Sequence, residues 1–492
     1  MGVTTLPLAR TRKETSMPSR NILIFADGTG QAGGLLFDEN RTNVYKLYRA
    51  SRVGPDSTID PAQQLAFYDP GLGSQSDNGQ IKIGVARKLY NSVSQGTGLG
   101  ITKNIVDCYA SILSLWRPGD RIYLIGFSRG AYTVRCVGGV LAMCGVPIRL
   151  KDGSQFRYDE ETIGRVAREA VKEVYQYGSS IEGDPFKALR EERAQRFRRD
   201  YGSDAEGHAN ECPYFIGVFD TVAALGVALP IRWALGIAAT LTIAAVAAGV
   251  AWVLAHWLLS FWIWFSILFG PPIVGVIAAY LKTHLRYHPT LKRFFLANWS
   301  MKFYDNKLNR RVRFARHALS IDEARADFER VIWEFDGDAT ARKPDDPELL
   351  RQVWFAGDHS DIGGSYSENE SRLSDNALAW MLQQLNELEY PILLDNSVLR
   401  VYPSPTGRQH DECRRAFAAP WRYLGFKWKV KHRVIENDAP LHQSVMDRFA
   451  AEAVLDYDVM RPYRPISLRN HNAVHQYYES DTLVSFRTAK VN

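Results

Sequence analysis

The chain has 492 residues, 46% of them hydrophobic and 23% charged, with a net charge of +6. That composition supplies a large core, in one big domain with insertions or in two, and excludes a disordered or fibrous chain. So mild a positive charge, with Lys and Arg spread widely, excludes a dedicated nucleic-acid binder. The cysteines Cys108, Cys136, Cys144, Cys212 and Cys413 show no C-x-x-C spacing. They read as free thiols in a reducing compartment, with no zinc site.

In chain order, residues 1–20 are polar and lack an apolar h-region, which predicts a disordered leader and no signal peptide. Asn21 to Ala26 is a continuous apolar run, as a buried parallel strand requires. Thr102 to Trp116 is amphipathic and reads as a helix. Arg121 to Gly126 is a second apolar run. It leads into Gly126-Phe127-Ser128-Arg129-Gly130 and a helical stretch, Tyr132 to Leu141. Strand, Gly-x-Ser-x-Gly and helix together are the context of a nucleophile elbow, with Ser128 over a helix N-terminus that favours developing negative charge. Glu160 to Tyr201 interleaves acids and bases and reads as a solvated helical excursion. Tyr214 to Phe219 is a third strand.

From Leu229 to Leu281 the only formally charged residue is Arg232, with His256 the other titratable group. The stretch is long enough for two membrane spans of about 20 residues each. It predicts a transmembrane hairpin of Trp233 to Ala255 and Leu258 to Tyr280, kinked at Pro271 and Pro272. Trp252, Trp257, Trp262 and Trp264 would serve as interfacial aromatics near the turn. Lys282, Arg286, Lys292 and Arg293 follow it, so both ends, and the rest of the protein, are expected on the cytoplasmic side of an inner membrane. Val353 to Ala356 is a fourth, shorter strand. Beyond Asn396 the basic, aromatic stretch around Trp421, Lys427, Trp428, Lys429 and Lys431 reads as a small solvated β-subdomain. The expected divisions are leader 1–20, core 21–228, hairpin 229–281, core 282–395 and C-terminal segment 396–492.

Strands alternating with helices predict an α/β fold, a mainly parallel sheet with helices on both faces. The strands end in Asp27-Gly28-Thr29-Gly30, Ser128, Asp220-Thr221 and Gly357-Asp358-His359-Ser360-Asp361. In an open α/β sheet the site lies at these carboxyl ends. The order Ser128, Asp220, His359 is that of an α/β-hydrolase triad: nucleophile, acid, and base. Oxyanion donors are expected from the Arg129 N–H and from the Gly28-Thr29 loop, with Asp27 lining the site. Alternatives stay open. Asp220 also fits a helix cap, His317 and His442 compete with His359, and Asp361 is close enough in sequence to orient His359 in place of Asp220.

Seven ordered blocks carry a resemblance. They are Phe25 to Gly30, Arg41-Thr42-Asn43-Val44, Tyr68 to Gly73, Gly126 to Tyr132, Gly217 to Val222, His317 to Glu323 and Trp354 to Gly364. With them the chain resembles the α/β-hydrolase catalytic domain of type VI secretion phospholipase effectors. The resemblance implies an esterase or phospholipase of the Ser-Asp-His type, mapped onto Ser128, Asp220 and His359. It implies no cofactor, and a membrane lipid or other acyl ester as substrate. The hairpin is a departure, since effectors of this family need not carry one; it would hold the site near a bilayer. Two other readings remain. One is an inactive hydrolase fold used as a membrane-anchored scaffold. The other is a metal-dependent phosphoryl hydrolase using Asp27, Asp358, His359 and Asp361, although position 25 is Phe where a haloacid-dehalogenase-type phosphatase has its nucleophilic aspartate. No P-loop is present.

Overall fold

The computed structural model describes residues 19–28, 40–71, 101–177, 186–222, 240–242, 244–253, 260–287, 307–326, 328–335, 349–414 and 428–479. Its centre is one six-stranded sheet. The strands are β1 (Asn21–Ala26), β2 (Gln64–Asp69), β3 (Arg121–Phe127), β4 (Phe215–Phe219), β5 (Phe314–Ser320) and β6 (Leu350–Phe355). They lie in the order β6-β5-β4-β3-β1-β2, and every neighbouring pair is parallel. The expected α/β architecture is therefore observed. β1, β3, β4 and β6 fall on the apolar runs. β2 and β5 are strands that the apolar pattern did not single out, because β5 carries Arg316 and His317 in its middle.

Burial on both faces explains the continuous apolar runs. Ile22, Ile24, Ile122 and Leu124 face one core with helices α2 (Ile101–Leu115) and α3 (Arg129–Cys144). Leu23, Phe25, Tyr123 and Ile125 face the other, with α1 (Asn43–Ser51) and α8 (Arg372–Asn386). Each fully buried side chain of this size stabilises by about 1.5–3 kcal/mol, which locks the register. The charged excursion forms α4 (Glu160–Arg168), a π-helical turn and α5 (Lys187–Tyr201). It is not wholly solvated: Val166, Val171 and Phe197 are buried in the first core.

The transmembrane hairpin is not borne out. Among the described residues, no helix is long and apolar enough to cross a membrane. Helix is present at 240–242, at 244–253 and in α6 (Phe261–Tyr287), with a break at Ser260. Pro271 and Pro272 remove two donors from the ladder of α6. Residues 229–239 and 254–259, Trp257 among them, lie outside the described residues, as does most of the leader. What the described part does leave is exposed apolar surface, including Leu241, Val246, Trp252, Trp262 and Val274.

The C-terminal segment packs on the β5–β6 side of the sheet. Ile435, Ala439, Val445, Phe449 and Leu468 share a buried cluster with Leu319, Ile321, Trp354 and Ala356. Trp354 donates its N–H to Pro440 O, and His442 donates its own to Trp354 O, each at 2.9 Å.

Candidate active site

The parallel register aligns the strand ends: Ala26 pairs with Gly126, Phe127 with Phe219, Phe219 with Ala318, and Ser320 with Phe355. The residues that follow β1, β3, β4 and β6 therefore share one edge. From β1 the chain steps sideways to β2, then crosses back past β1 to β3, so the winding reverses beside β1 and this edge is a topological switch point, where α/β sheets place their sites.

Ser128 sits between β3 and α3 with φ 58 and ψ −122, a region that costs a non-glycine residue on the order of 1–3 kcal/mol. The flanking glycines are forced by contact. A Cβ on Gly130 would lie 2.0 Å from Ala26 O, and one on Gly126 would lie 2.6 Å from Gly130 O. Asp220 follows β4, also at positive φ, 36. His359 opens α7 (His359–Gly363), a single turn with Asp358 as N-cap and Asp361 completing a capping box.

These elements bring three side chains into line. His359 Nε2 lies 2.7 Å from Ser128 Oγ, and His359 Nδ1 lies 2.6 Å from Asp220 Oδ2. Ser128, Asp220 and His359 are all buried, at 8%, 0% and 4% exposure, so solvent does little to screen the pair. Burial alone would push the Asp220 carboxyl up. The Arg433 guanidinium and the hydrogen bonds from His359 and Arg433 outweigh it and hold the acid well below the usual carboxylate range. An ionised Asp220 only accepts, so His359 Nδ1 carries the proton and Nε2 accepts from the serine hydroxyl. Phe127 and Phe328 pack against the imidazole, at centroid distances of 4.7 and 5.2 Å.

The other candidates fall elsewhere. Asp361 accepts from His410, at 2.8 Å from the ring Nδ1 and 2.9 Å from the backbone N–H; it does not orient His359. His317 lies in β5 and holds Thr221, and His442 N-caps α9 (Gln443–Ala450). Asp27 is a buried bracket: Gly28 N–H, Thr42 Oγ1 and Tyr68 OH all donate to it, at 2.7, 2.5 and 2.7 Å. The Gly28 N–H is thereby committed to Asp27 and not to an oxyanion, and Thr29 lies outside the described residues. Arg129 is the first residue of α3, where backbone N–H groups have no acceptor within the helix; burial lowers its guanidinium pKa to about 10.

The carboxylates of the metal-dependent alternative are occupied likewise. Asp27 has the partners just named, Asp358 accepts from Ser360, Asp361 and Tyr366, and Asp361 holds His410. Among the described residues, no three His, Cys, Asp or Glu side chains are grouped to hold a metal. The five cysteines are all free.

Arg433 is the site residue that sequence reasoning missed. Its Nη1 donates to Asp220 Oδ1 and to Ser320 O, and its Nη2 to Asp220 Oδ2 at 2.9 Å. Nothing in a run reading Lys-Val-Lys-His-Arg-Val separates this arginine from solvated ones; its neighbours Lys431 and His432 are exposed.

Among known proteins, an uncharacterized protein of Saccharomyces cerevisiae is 28% identical over 216 residues, covering 43% of this chain and 28% of its own length. Two solved structures are distant. A crystal structure of an uncharacterized Pseudomonas aeruginosa protein has a TM-score of 0.34 at 17% identity, covering 78% of this chain and 48% of the other. The Tle1 effector bound to the VgrG spike of the type VI secretion system gives 0.27 at 16%, covering 75% and 57%. The chain thus spans less than two thirds of each relative's length. Residues 20–384 match the catalytic domain described as that of Tle1-like phospholipase effectors of the type VI secretion system, and the chain belongs to that family.

Proposed function

We propose that the protein is a serine-dependent carboxylic ester hydrolase that cleaves acyl esters of phospholipids. The observation that carries this reading is the hydrogen-bonded line from Asp220 through His359 to a strained Ser128, in a chain of a phospholipase family.

In this mechanism Ser128 Oγ attacks the ester carbonyl carbon while its proton passes to His359 Nε2. Asp220 stabilises the imidazolium through Nδ1–H. The carbonyl oxygen becomes an oxyanion, held by the Arg129 N–H and the start of α3. The C–O bond to the glycerol side breaks, and His359 returns the proton to that alcohol. Water then attacks the acyl-enzyme, giving its proton to His359, and the serine leaves with that proton. The products are a fatty acid and a deacylated lipid. The exposed apolar side chains Leu241, Val246, Trp252 and Trp262 are suited to lie against a lipid surface.

The test is fatty-acid release from mixed micelles of phosphatidylcholine, phosphatidylethanolamine and phosphatidylglycerol. Release by the wild type and none by Ser128→Ala is expected. A folded wild type that releases fatty acid from none of these lipids, and from no short-chain ester, overturns the proposal.

A further inference from the structure

We infer that Arg433 is a positioning residue for the acid–base pair, so that chain beyond the family-matched residues 20–384 completes the site. This rests on the triad reading above. The guanidinium reaches both oxygens of one carboxylate, the fork-on-fork arrangement in which arginine is strongest. It also donates to Ser320 O at 2.9 Å and Phe328 O at 3.4 Å. Arg433 is 8% exposed and Asp220 fully buried.

The backbone sets this arginine in place. Lys431 N–H donates to Ala324 O and Ala326 N–H donates to Lys429 O, each at 2.8 Å. Arg325 and Val430 form an antiparallel bridge between these bonds. Two residues beyond Arg433, Ile435 is anchored in the cluster with Leu319 and Trp354. The strap therefore runs pinned on both sides of Arg433, behind the acid.

Two consequences follow from the contacts. Without the guanidinium the fully buried Asp220 keeps only His359 and the Ser320 N–H, which donates to Oδ1 at 2.9 Å; an acid so placed tends to take up a proton, and a neutral acid cannot stabilise an imidazolium. Arg433 keeps it ionised and fixes its rotamer. Arg433 Nη2 and His359 Nδ1 also share the same oxygen, Oδ2, at 2.9 and 2.6 Å. The arginine thus draws on the charge that would otherwise hold the proton on His359, and eases its transfer to the leaving alcohol.

The other groups around the pair do not replace it. Glu323 accepts the His359 backbone N–H at 3.3 Å, but it is paired with Arg325 at 2.6 Å. Asp358 and Asp361 cap the turn that carries His359. Arg330 adds a weaker field at Asp220 and reaches Glu436 at 3.6 Å. His317 lies beyond Thr221 and is held neutral by its burial.

The experiment is steady-state hydrolysis of a short-chain phosphatidylcholine by full-length Arg433→Gln, Arg433→Lys, Asp220→Asn and the Asp220→Asn/Arg433→Gln double variant, each followed across pH. For Arg433→Gln we expect kcat to fall about 10- to 100-fold with KM unchanged, as for other residues that orient a reacting group through a neighbour. The acid limb of kcat/KM moves to higher pH, because the Asp220–His359 pair takes up its extra proton more readily once the neighbouring positive charge is gone. Arg433→Lys restores the limb and part of kcat. In the Asp220→Asn background, losing Arg433 costs little more, because the two act as a unit. Wild-type kcat and pH profile in Arg433→Gln, or the same fold loss in both backgrounds, overturns the inference. If Arg433→Gln does not fold, Arg433→Lys and the charge-neutral double variant, compared with Asp220→Asn, decide by the same criteria. An inactive wild type sinks the hydrolase reading itself, whereas an active wild type indifferent to Arg433 sinks only this step.

Discussion

The Thr221 backbone N–H donates to His317 Nε2 at 3.2 Å. His317 Nδ1 lies 3.2 Å from Gln352 Oε1, so both ring nitrogens of this fully buried histidine have partners. His317 therefore braces the residue after Asp220 and has no lone pair to offer Ser128. Burial, with the nearby Arg135 charge adding to it, lowers its pKa to about 3. Between about pH 6.5 and 3 the unfolded chain takes up a proton that the native histidine does not. Stability from this group is complete above the upper value and is lost toward the lower, at up to about 1.4 kcal/mol per pH unit. His317→Gln, which cannot titrate, should show a shallower fall in urea stability from pH 7 to 5. It should also keep turnover within about tenfold of wild type at pH 8. An unchanged slope would assign the acid sensitivity elsewhere.

Ser128 holds a backbone conformation that glycine adopts without strain. Ser128→Gly and Ser128→Ala should both abolish turnover, yet only the glycine variant should gain stability, on the order of 1 kcal/mol in urea unfolding. Equal stabilities would mean that the turn is not strained.

Asp361 and Asp220 both lie close to His359 in the chain or in space, and the hydrogen bonds separate their roles. Asp220→Asn removes the group that sets the imidazole tautomer, and turnover should fall by about 10⁴-fold. Asp361→Asn weakens only the capping box and the His410 contact. Its turnover should fall less than tenfold, with a stability loss of about 1–3 kcal/mol. Kinetics of the two variants side by side check this, and a deeper loss in Asp361→Asn would reverse the assignment.

Asp322 is half-buried, and desolvation of its carboxyl raises its pKa to about 6. Its Oδ2 accepts from Gly357 N–H and Tyr463 OH, both at 2.7 Å, contacts that an amide oxygen also makes. The native state binds this proton more tightly than the unfolded chain, so its contribution is present at low pH and lost as pH rises through about 6. Asp322→Asn should be more stable than wild type at pH 8, on the order of 1–3 kcal/mol, and equal to it near pH 4. A loss at pH 8 would show that the charge is stabilised where it lies.

Much of the candidate site was legible because its residues follow strands. Ser128 and Asp220 follow β3 and β4, which are buried along nearly their whole length and announce themselves as apolar runs; His359 follows β6, which is half-buried over 350–353 and apolar only toward its end. β5 escaped because Arg316 and His317 interrupt its run; partners such as Gln384, Gln352 and Thr221 make those residues acceptable inside. Arg433 escaped for the same reason from the opposite side, a buried cation inside a stretch that reads as surface. The stretch from Leu229 to Leu281 is apolar in sum, yet among the described residues no helix is long and apolar enough to cross a membrane, and residues 229–239 and 254–259 lie outside the described residues. The Gly28 N–H was a reasonable oxyanion donor by position, but the preceding Asp27 side chain captures it.

The central claim is that Ser128 is a nucleophile activated by His359. The most direct measurement is labelling of the full-length protein with a fluorophosphonate, followed by intact mass and peptide mapping. One adduct is expected, on Ser128, absent in Ser128→Ala and formed far more slowly in His359→Ala. A well-folded wild type that takes no adduct, or one that carries it on a different residue, would contradict it.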